Sequence, residues 1–418
     1  MPLSRTARAT RLLAGAAALA LLAAACSDDD SSSASDTAPG TTAPESTGTT
    51  APESSSPTAA PAADAVPLVF NGQGNHLDAY SSEPPFEHQR VITSAEDDPE
   101  NGLDINAQLC FYEVDGTRSL IAGEDTDQGG EGVQGWGIFE VTGDTIGDLA
   151  TTQVAKLTPT FQGDSNPENY GCGRLSDGRL ITGDVGNQAG GPATGQLIIW
   201  FPPYDSFDSI AYCKLDVEIG TALQIAVDDD DNIHIASALG RSEERPSGVY
   251  RYSPPFPIGP TAEDGCGKTD PTGAPLADEV QRELFIATGD GLGFPAGIVQ
   301  TDDGGFYVSS QASGVINEYT ADGTFVRPIV VPPEGDELDA DGFTFGSPQG
   351  LGLGPDGTLY YADIGIVRSE DEEFLEIGPG EGTGSVRRIT FDDAGEPAEP
   401  EIMAEGLDFP DGIGVLVP

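Results

Sequence analysis

The clearest pattern of hydrophobic and polar positions lies in residues 295–327, PAGIVQTDDGGFYVSSQASGVINEYTADGTFVR. Four short apolar-rich runs are separated by Asp303-Gly304, a small-residue turn and Asp322-Gly323. Runs of that length between Gly/Asp turns predict a four-stranded antiparallel meander. One such sheet is marginal alone and becomes stable when it is repeated around an axis.

The pattern does repeat. Gly297 stands seven residues before Gly304, and the same spacing joins Gly350 to Gly357 and Gly171 to Gly178. LQIAVDDDDNIHIAS fits the frame with Gln224 in the glycine slot and Asp231 at the turn; LCFYEVDGTRSLIAGED fits with Leu109 and Gly116. Copies near 109, 171, 224, 297 and 350 are spaced as propeller blades carrying loop insertions. A sixth opens at Phe409-Pro410-Asp411-Gly412 and stops after one strand, IGVLV. Its missing strands are expected at 68–70, 76–80 and 89–93, at the other end of the chain. SSEPPF, WFPPY and YSPPF each follow a third strand and confirm the register. A blade shared by both termini closes the ring and removes free sheet edges. The expected fold is all-β, a six-bladed β-propeller. Residues 276–284 are the one candidate for a helical stretch.

The first residues read as a processing signal. Arg5, Arg8 and Arg11 precede an apolar run, 12–25, that ends at Cys26. The run is short for a membrane span and fits a secretory h-region. LLAAAC followed by SDDD resembles a bacterial lipoprotein signal, with Ala23 where leucine is usual. That resemblance implies cleavage before Cys26, a lipid on its thiol and anchoring on the extracytoplasmic side of the cell membrane. Residues 27–64 are rich in Ser, Thr, Ala and Pro with TTAPES duplicated, a composition expected to remain a solvated tether. The chain therefore divides into a signal peptide (1–25), a lipidated tether (26–64) and a propeller (65–418).

Composition agrees: 55 glycines and 33 prolines suit a turn-rich β chain. A formal charge of −52 excludes nonspecific nucleic-acid binding and disfavours docking on anionic lipid. Beyond Cys26 the cysteines are Cys110, Cys172, Cys213 and Cys266. An even number in an exported chain implies two disulfides, with three connectivities open from the count alone. The frame puts Cys110 and Cys172 at the start of innermost strands in consecutive blades. It puts Cys213 at the end of the second blade's outer strand and Cys266 in a long insertion of the third. Cys110–Cys172 and Cys213–Cys266 are therefore expected. Cys172–Cys213 would span a whole sheet, roughly 14 Å against a tolerated Cα separation of about 7 Å. No CxxC or Cys/His spacing points to zinc.

PAGIVQTDDGGFYVSS with VINEYTADGTFV resembles an NHL repeat. PQGLGLGPDGTLYYAD and FPDGIGVLV resemble blade openings of the senescence marker protein/gluconolactonase family. Both resemblances imply a six-bladed propeller; some such proteins are metal-dependent lactonases or esterases, and others only bind partners. The lactonase pattern implies a divalent metal at the channel mouth, Ca²⁺ or another, held by a glutamate of EGP, an asparagine of PNG and an aspartate of PDG. Asp411 matches the PDG aspartate, Gln349 stands at the asparagine position, and no EGP occurs near the first blade.

The remaining candidates come from acids and loops. His76, His88 and His234 are the only histidines and fall in or beside predicted strands. Glu337, Asp339 and Asp341 before Gly342 resemble the opening of a Ca²⁺ loop, although Pro348 takes the place of its closing glutamate. Asp125 and Asp127 before Gly129-Gly130 are a fainter version. The second-to-third-strand connections of four blades, beginning at Glu124, Asp184, Ser237 and Asp363, are long and share one face. Loops on a rigid scaffold are where binding residues concentrate. Glu124, Asp184 and Asp363 occupy equivalent positions, where they either ring the channel mouth as metal ligands or bind turn amides. Two functions follow: a binding or scaffold propeller for a protein, carbohydrate or small-molecule ligand, or a metal-dependent hydrolase of lactones or esters.

Overall fold

The computed structural model describes residues 67–417 apart from 74, 125–134, 162–168, 187–194, 333–343, 345 and 369–376. The signal sequence, Cys26 and the tether lie outside the described residues, as do Glu337, Asp339, Asp341, Asp125 and Asp127.

Six blades are formed, each from four antiparallel strands. Blade 1 runs Ile105–Val114, Thr117–Glu124, Gly135–Thr142 and Ala150–Leu157. Blade 2 runs Asn169–Arg174, Leu180–Asp184, Gln196–Trp200 and Tyr212–Asp216. Blade 3 runs Ile225–Val227, Ile233–Ser237, Gly248–Ser253 and Gln281–Ala287. Blade 4 is Pro295–Gln300, Phe306–Ser310, Ile316–Tyr319 and Phe325–Val330. Blade 5 is Pro348–Leu353, Leu359–Asp363, Gly384–Ile389 and Glu401–Leu407. In blade 6, Gly412–Leu416 pairs with Leu68–Gln73, followed by His76–Ser81 and His88–Ile92. The two termini thus share a blade, with Leu68 opposite Leu416 and Asn71 opposite Ile413.

Strand alternation sends side chains into the two interfaces that each blade makes with its neighbours. Trp136, Ile138, Cys172, Leu180 and Trp200 fill the space between blades 1 and 2. Val69, Tyr80, Tyr360, Val386 and Ile413 do so between blades 5 and 6. The repeated glycine has a steric cause. A methyl group on Gly297 would overlap the Gln349 carbonyl of the next blade, and one on Gly412 would overlap the carbonyl of Ala107. Innermost strands approach closely only where that side chain is absent. Ring closure is reinforced at the rim, where Arg388 of blade 5 donates to the Ser82 carbonyl at 2.5 Å and to Glu83 at 3.1 Å.

Between the third and fourth strands of blade 3, the chain detours through residues 254–280 to the edge of blade 2. Pro275–Leu276 pairs in parallel with Tyr212–Asp216, and Lys268–Thr269 pairs with Pro275–Leu276, so that sheet reaches six strands. A disulfide joins Cys213 to Cys266 with Cα atoms 6.1 Å apart. Beside it, Lys214 Nζ meets Asp270 at 2.6 Å, both side chains fully buried. The second disulfide, Cys110–Cys172, links the innermost strands of blades 1 and 2 at a Cα separation of 6.0 Å. The helix considered for 276–284 does not form. Gln281–Ala287 instead pairs with Gly248–Ser253 as an edge strand, leaving Leu284 39% exposed. Pairing with a preformed blade outweighs the local apolar spacing.

Candidate functional site

Each blade's first strand runs away from the face that carries the crossovers between blades, and its second strand returns to it. That loop face holds the channel mouth and the ends of all second strands; the opposite face holds the tight Asp-Gly turns.

The acids at the second-strand ends are engaged by groups of their own blade or of the crossover beside it. Glu124 accepts from Lys156 Nζ at 2.7 Å and Gln153 Nε2 at 2.6 Å, both on the outer strand of its own blade. Asp184 accepts from the Gly186 amide at 3.2 Å and Gln196 Nε2 at 3.1 Å. Asp363 accepts from the amides of Ser347 at 2.7 Å and Gly365 at 2.9 Å, with Arg387 at 3.8 Å. Blade 4 uses Ser310 at the same place, its hydroxyl receiving the Gly293 and Phe294 amides. At Asp184, Asp363 and Ser310 the position fastens loop or crossover backbone, the second of the two roles expected for these acids, whereas Glu124 binds side chains of its own outer strand. Among the described residues no three His, Cys, Asp or Glu side chains are placed to hold a metal.

What the channel does contain is a set of amides. Gln108 of blade 1 donates to the Ile225 carbonyl of blade 3 at 2.8 Å, and its oxygen accepts the Ile225 and Cys172 amides, each at 2.9 Å. Gln224 of blade 3 repeats this on Leu351 of blade 5, at 2.7 and 2.9 Å. Gln349 of blade 5 donates to the Tyr170 hydroxyl of blade 2 at 3.0 Å and accepts from Gln311 of blade 4 at 2.9 Å. Tyr170 in turn donates to the main-chain carbonyl of Asp411 in blade 6 at 2.8 Å. Blades 2 and 5 are opposite in a ring of six, so the Gln349–Tyr170 bond crosses the axis. A glutamine amide offers one donor and one acceptor side by side and so imitates a strand partner.

The two positions matched to the lactonase pattern, Gln349 and Asp411, are thus brought together through Tyr170. They do not fit a divalent ion. Hard cations take about six to eight oxygens. Here the Gln349 oxygen is engaged by Gln311, and both Asp411 carboxylate oxygens receive the Ala107 amide, at 3.0 and 3.1 Å. Burial pushes the Asp411 carboxyl up to about 7, against the backbone amides that favour its ionised form. Two of its partners, Ala107 and Tyr170, belong to a buried apolar cluster with Val185, Leu223, Phe294 and Ile364.

The histidines serve the blades. His76 accepts the Ser94 amide at 2.9 Å and faces Asp97; burial lowers its pKa. His88 meets the buried Asp78, which Arg90 also binds, and stacks on Tyr80. His234 lies between Phe285 and Phe306 and bonds Asp228 at 3.0 Å. Burial pushes Asp228 up, but the bonds from His234 and Asn232 outweigh it and hold the carboxyl at about 2. The amide bridge was missed in the sequence. Its trace there is glutamine at or just before the glycine slot in alternate copies: Gln108, Gln224 and Gln349.

Comparison with known proteins finds no matching family model and no matching curated protein. Among solved structures, the chain is similar to a periplasmic gluconolactonase of Pseudomonas aeruginosa, at 13% identity over 84% of this chain and 100% of that one, with a TM-score of 0.46. A calcium-binding protein, regucalcin, from Agrobacterium tumefaciens matches at 15% identity, 74% and 81% coverage and a TM-score of 0.45. Virginiamycin B lyase from Staphylococcus aureus matches at 10% identity, 81% of each chain and a TM-score of 0.40. Likeness at this level transfers no activity and no residue role; the six-bladed fold rests on the chain's own sheets.

Proposed function

We propose that this protein is an exported, lipid-anchored binding propeller that engages its ligand at the loop-face mouth. The observation that carries the reading is the commitment of the mouth's acids. Glu124, Asp184 and Asp363 each hold their own blade together, and the channel below them is spanned by neutral amides and a phenol. Those amides bond one another and the backbone across the axis, so they make a rigid base from which the loops of the mouth present binding residues. The anchor rests on Cys26 and its surrounding lipoprotein-like signal.

The competing reading is a hydrolase of lactones or esters acting at the same mouth. It has in its favour the meeting of Gln349, Tyr170 and Asp411 across the channel. One experiment separates the two: metal analysis of the purified full-length protein with a lactone and ester activity panel. The binding reading expects substoichiometric metal and no turnover. Stoichiometric divalent metal together with hydrolysis, both lost in Asp411→Asn, would replace it with the hydrolase.

A further inference from the structure

Beside the mouth, blades 1 and 2 face each other with two rows of residues at the loop-face ends of their strands. In blade 1 the row is Asn106, Gly123 and Trp136, paired across its first three strands. In blade 2 it is Asn169, Asp184 and Gln196. Trp136 packs into the seam between the blades, and so does Ile198; alternation along the strand turns Gln196 to the same side. Gly123 brings the rows together. A methyl group there would lie 2.8 Å from Asn106 Oδ1 and 2.7 Å from the Asn169 carbonyl. A few residues further along the same two first strands, the Cys110–Cys172 disulfide joins them.

Half of the buried side-chain polar atoms that lack a hydrogen-bond partner among the described residues lie in this one seam. They are Asn106 Oδ1, the Trp136 indole nitrogen, both ends of the Asn169 carboxamide and Gln196 Oε1. The rest stand one to a blade, on Arg118, Arg174, His234, Asn317 and Asn71. Asn169 and Gln196 are 2% and 1% exposed, and Trp136 is fully buried. Protein interiors rarely leave such groups without partners, because each has given up its bonds to water. A seam that does so when closed gains from parting around a ligand that makes those bonds.

The five atoms specify the chemistry of that ligand. Three are acceptors, two carry donors, and all are neutral. A hydroxyl group offers one proton and two lone pairs, so three neighbouring hydroxyls satisfy the whole set. Their protons go to the oxygens of Asn106, Asn169 and Gln196, and their lone pairs take the indole N–H and the Asn169 amide. An anion finds no cation here: Lys156 and Lys214, the lysines of these two blades, are held by Glu124 and Asp270, and Arg118, Arg174 and Arg179 lie toward the turn face. A metal ion would meet the indole N–H. We propose that the seam between blades 1 and 2 is a cryptic binding site for a neutral polyhydroxylated molecule, a sugar or polyol. This rests on the reading of the mouth as a binding site and names a ligand class for it.

The test is amide hydrogen exchange on the purified full-length protein with its disulfides intact, with and without neutral hexoses, inositol or glycerol. At least one of these is expected to slow exchange threefold or more in Ile105–Val114 and Asn169–Arg174. Ile316–Tyr319 of blade 4 serves as the control, since polyols also favour burial everywhere by exclusion from the protein surface. Asn169→Leu and, separately, Gln196→Met remove polar atoms of the seam and are expected to abolish the local slowing; two variants guard against one that fails to fold. Exchange that no polyol slows in the seam beyond the control means that water alone serves these groups, and overturns the proposal. Local slowing that survives both substitutions overturns it as well. Failure of the binding reading shows differently, as metal-dependent turnover lost in Asp411→Asn, a residue outside the seam.

Discussion

Asp411 gives the most quantitative handle on this fold. Its side chain is buried beside Ala107 with no cationic partner among the described residues, and burial raises it to about 7 from the usual 3.8. Below about pH 4 the carboxyl is protonated whether the chain is folded or not, and folding carries no penalty from it. As the pH rises past 3.8 the unfolded chain releases this proton while the folded protein keeps it. Stability then falls by roughly 1.4 kcal/mol per pH unit until the folded group also ionises, a loss of about 4 kcal/mol across the window. The sign is opposite to that of a hydrogen-bonded aspartate such as Asp228. That carboxyl is held at about 2, so its stabilisation is present above 3.8 and disappears as the pH falls toward 2.

Asp411→Asn isolates the effect, because the amide does not titrate and its oxygen can still accept the Ala107 amide. Urea unfolding of both proteins, followed through the buried Trp136 and Trp200 with disulfides intact, gives the difference in unfolding free energy at each pH. Subtracting the variant removes the background from the chain's many other acids. Relative to the variant, the wild type is expected to lose about 3–4 kcal/mol between about pH 4 and pH 7.5, with the change flattening above pH 7. Curves that stay parallel within about 0.5 kcal/mol would mean that Asp411 titrates normally and that the burial argument is wrong.

Two further outcomes follow from the packing. Deleting the strand Gly412–Leu416 removes Ile413 and Leu416, each nearly fully buried and worth about 1.5–3 kcal/mol, and reopens the ring. Circular dichroism should show loss of the cooperative transition, and an unchanged melting temperature would contradict a blade shared by the termini. Lys214→Met leaves Asp270 as an uncompensated buried charge and should cost about 3–5 kcal/mol in urea unfolding. Adding Asp270→Leu should recover much of that loss, and a double variant as unstable as the single one would show that the ion pair is not the cause.

The blade frame was legible because its causes are local. A slot glycine, an aspartate and a turn glycine seven residues after the slot all lie within one copy; blades 2, 4 and 5 carry all three, and blades 1 and 3 keep enough of the frame to be aligned with them. The termini were legible for a related reason: an opening strand without followers at one end complements three strands without an opener at the other. The disulfides followed from the same frame, since placing three cysteines on named strands and the fourth in the third blade's insertion leaves little freedom in how they meet.

The site was less legible because its contacts depend on the ring. Charge and position mark Glu124 as a mouth acid, but nothing nearby in the chain shows that Lys156 on its own outer strand will hold it. Whether a carboxylate faces a ligand or fastens a loop depends on the partner, and spacing alone does not name that partner. Gln224 makes the point most sharply. It stands in a slot that glycine fills in blades 2, 4, 5 and 6, which looks like a lapse in the repeat. Its amide instead reaches past blade 4 to bond both main-chain groups of Leu351. Those two residues become neighbours only after six copies close a circle, so periodicity within a blade carries no information about the pair. In this chain the departure from the repeat at Gln224, and the residues Tyr170 and Gln349 just before their slots, are where the blades meet across the axis.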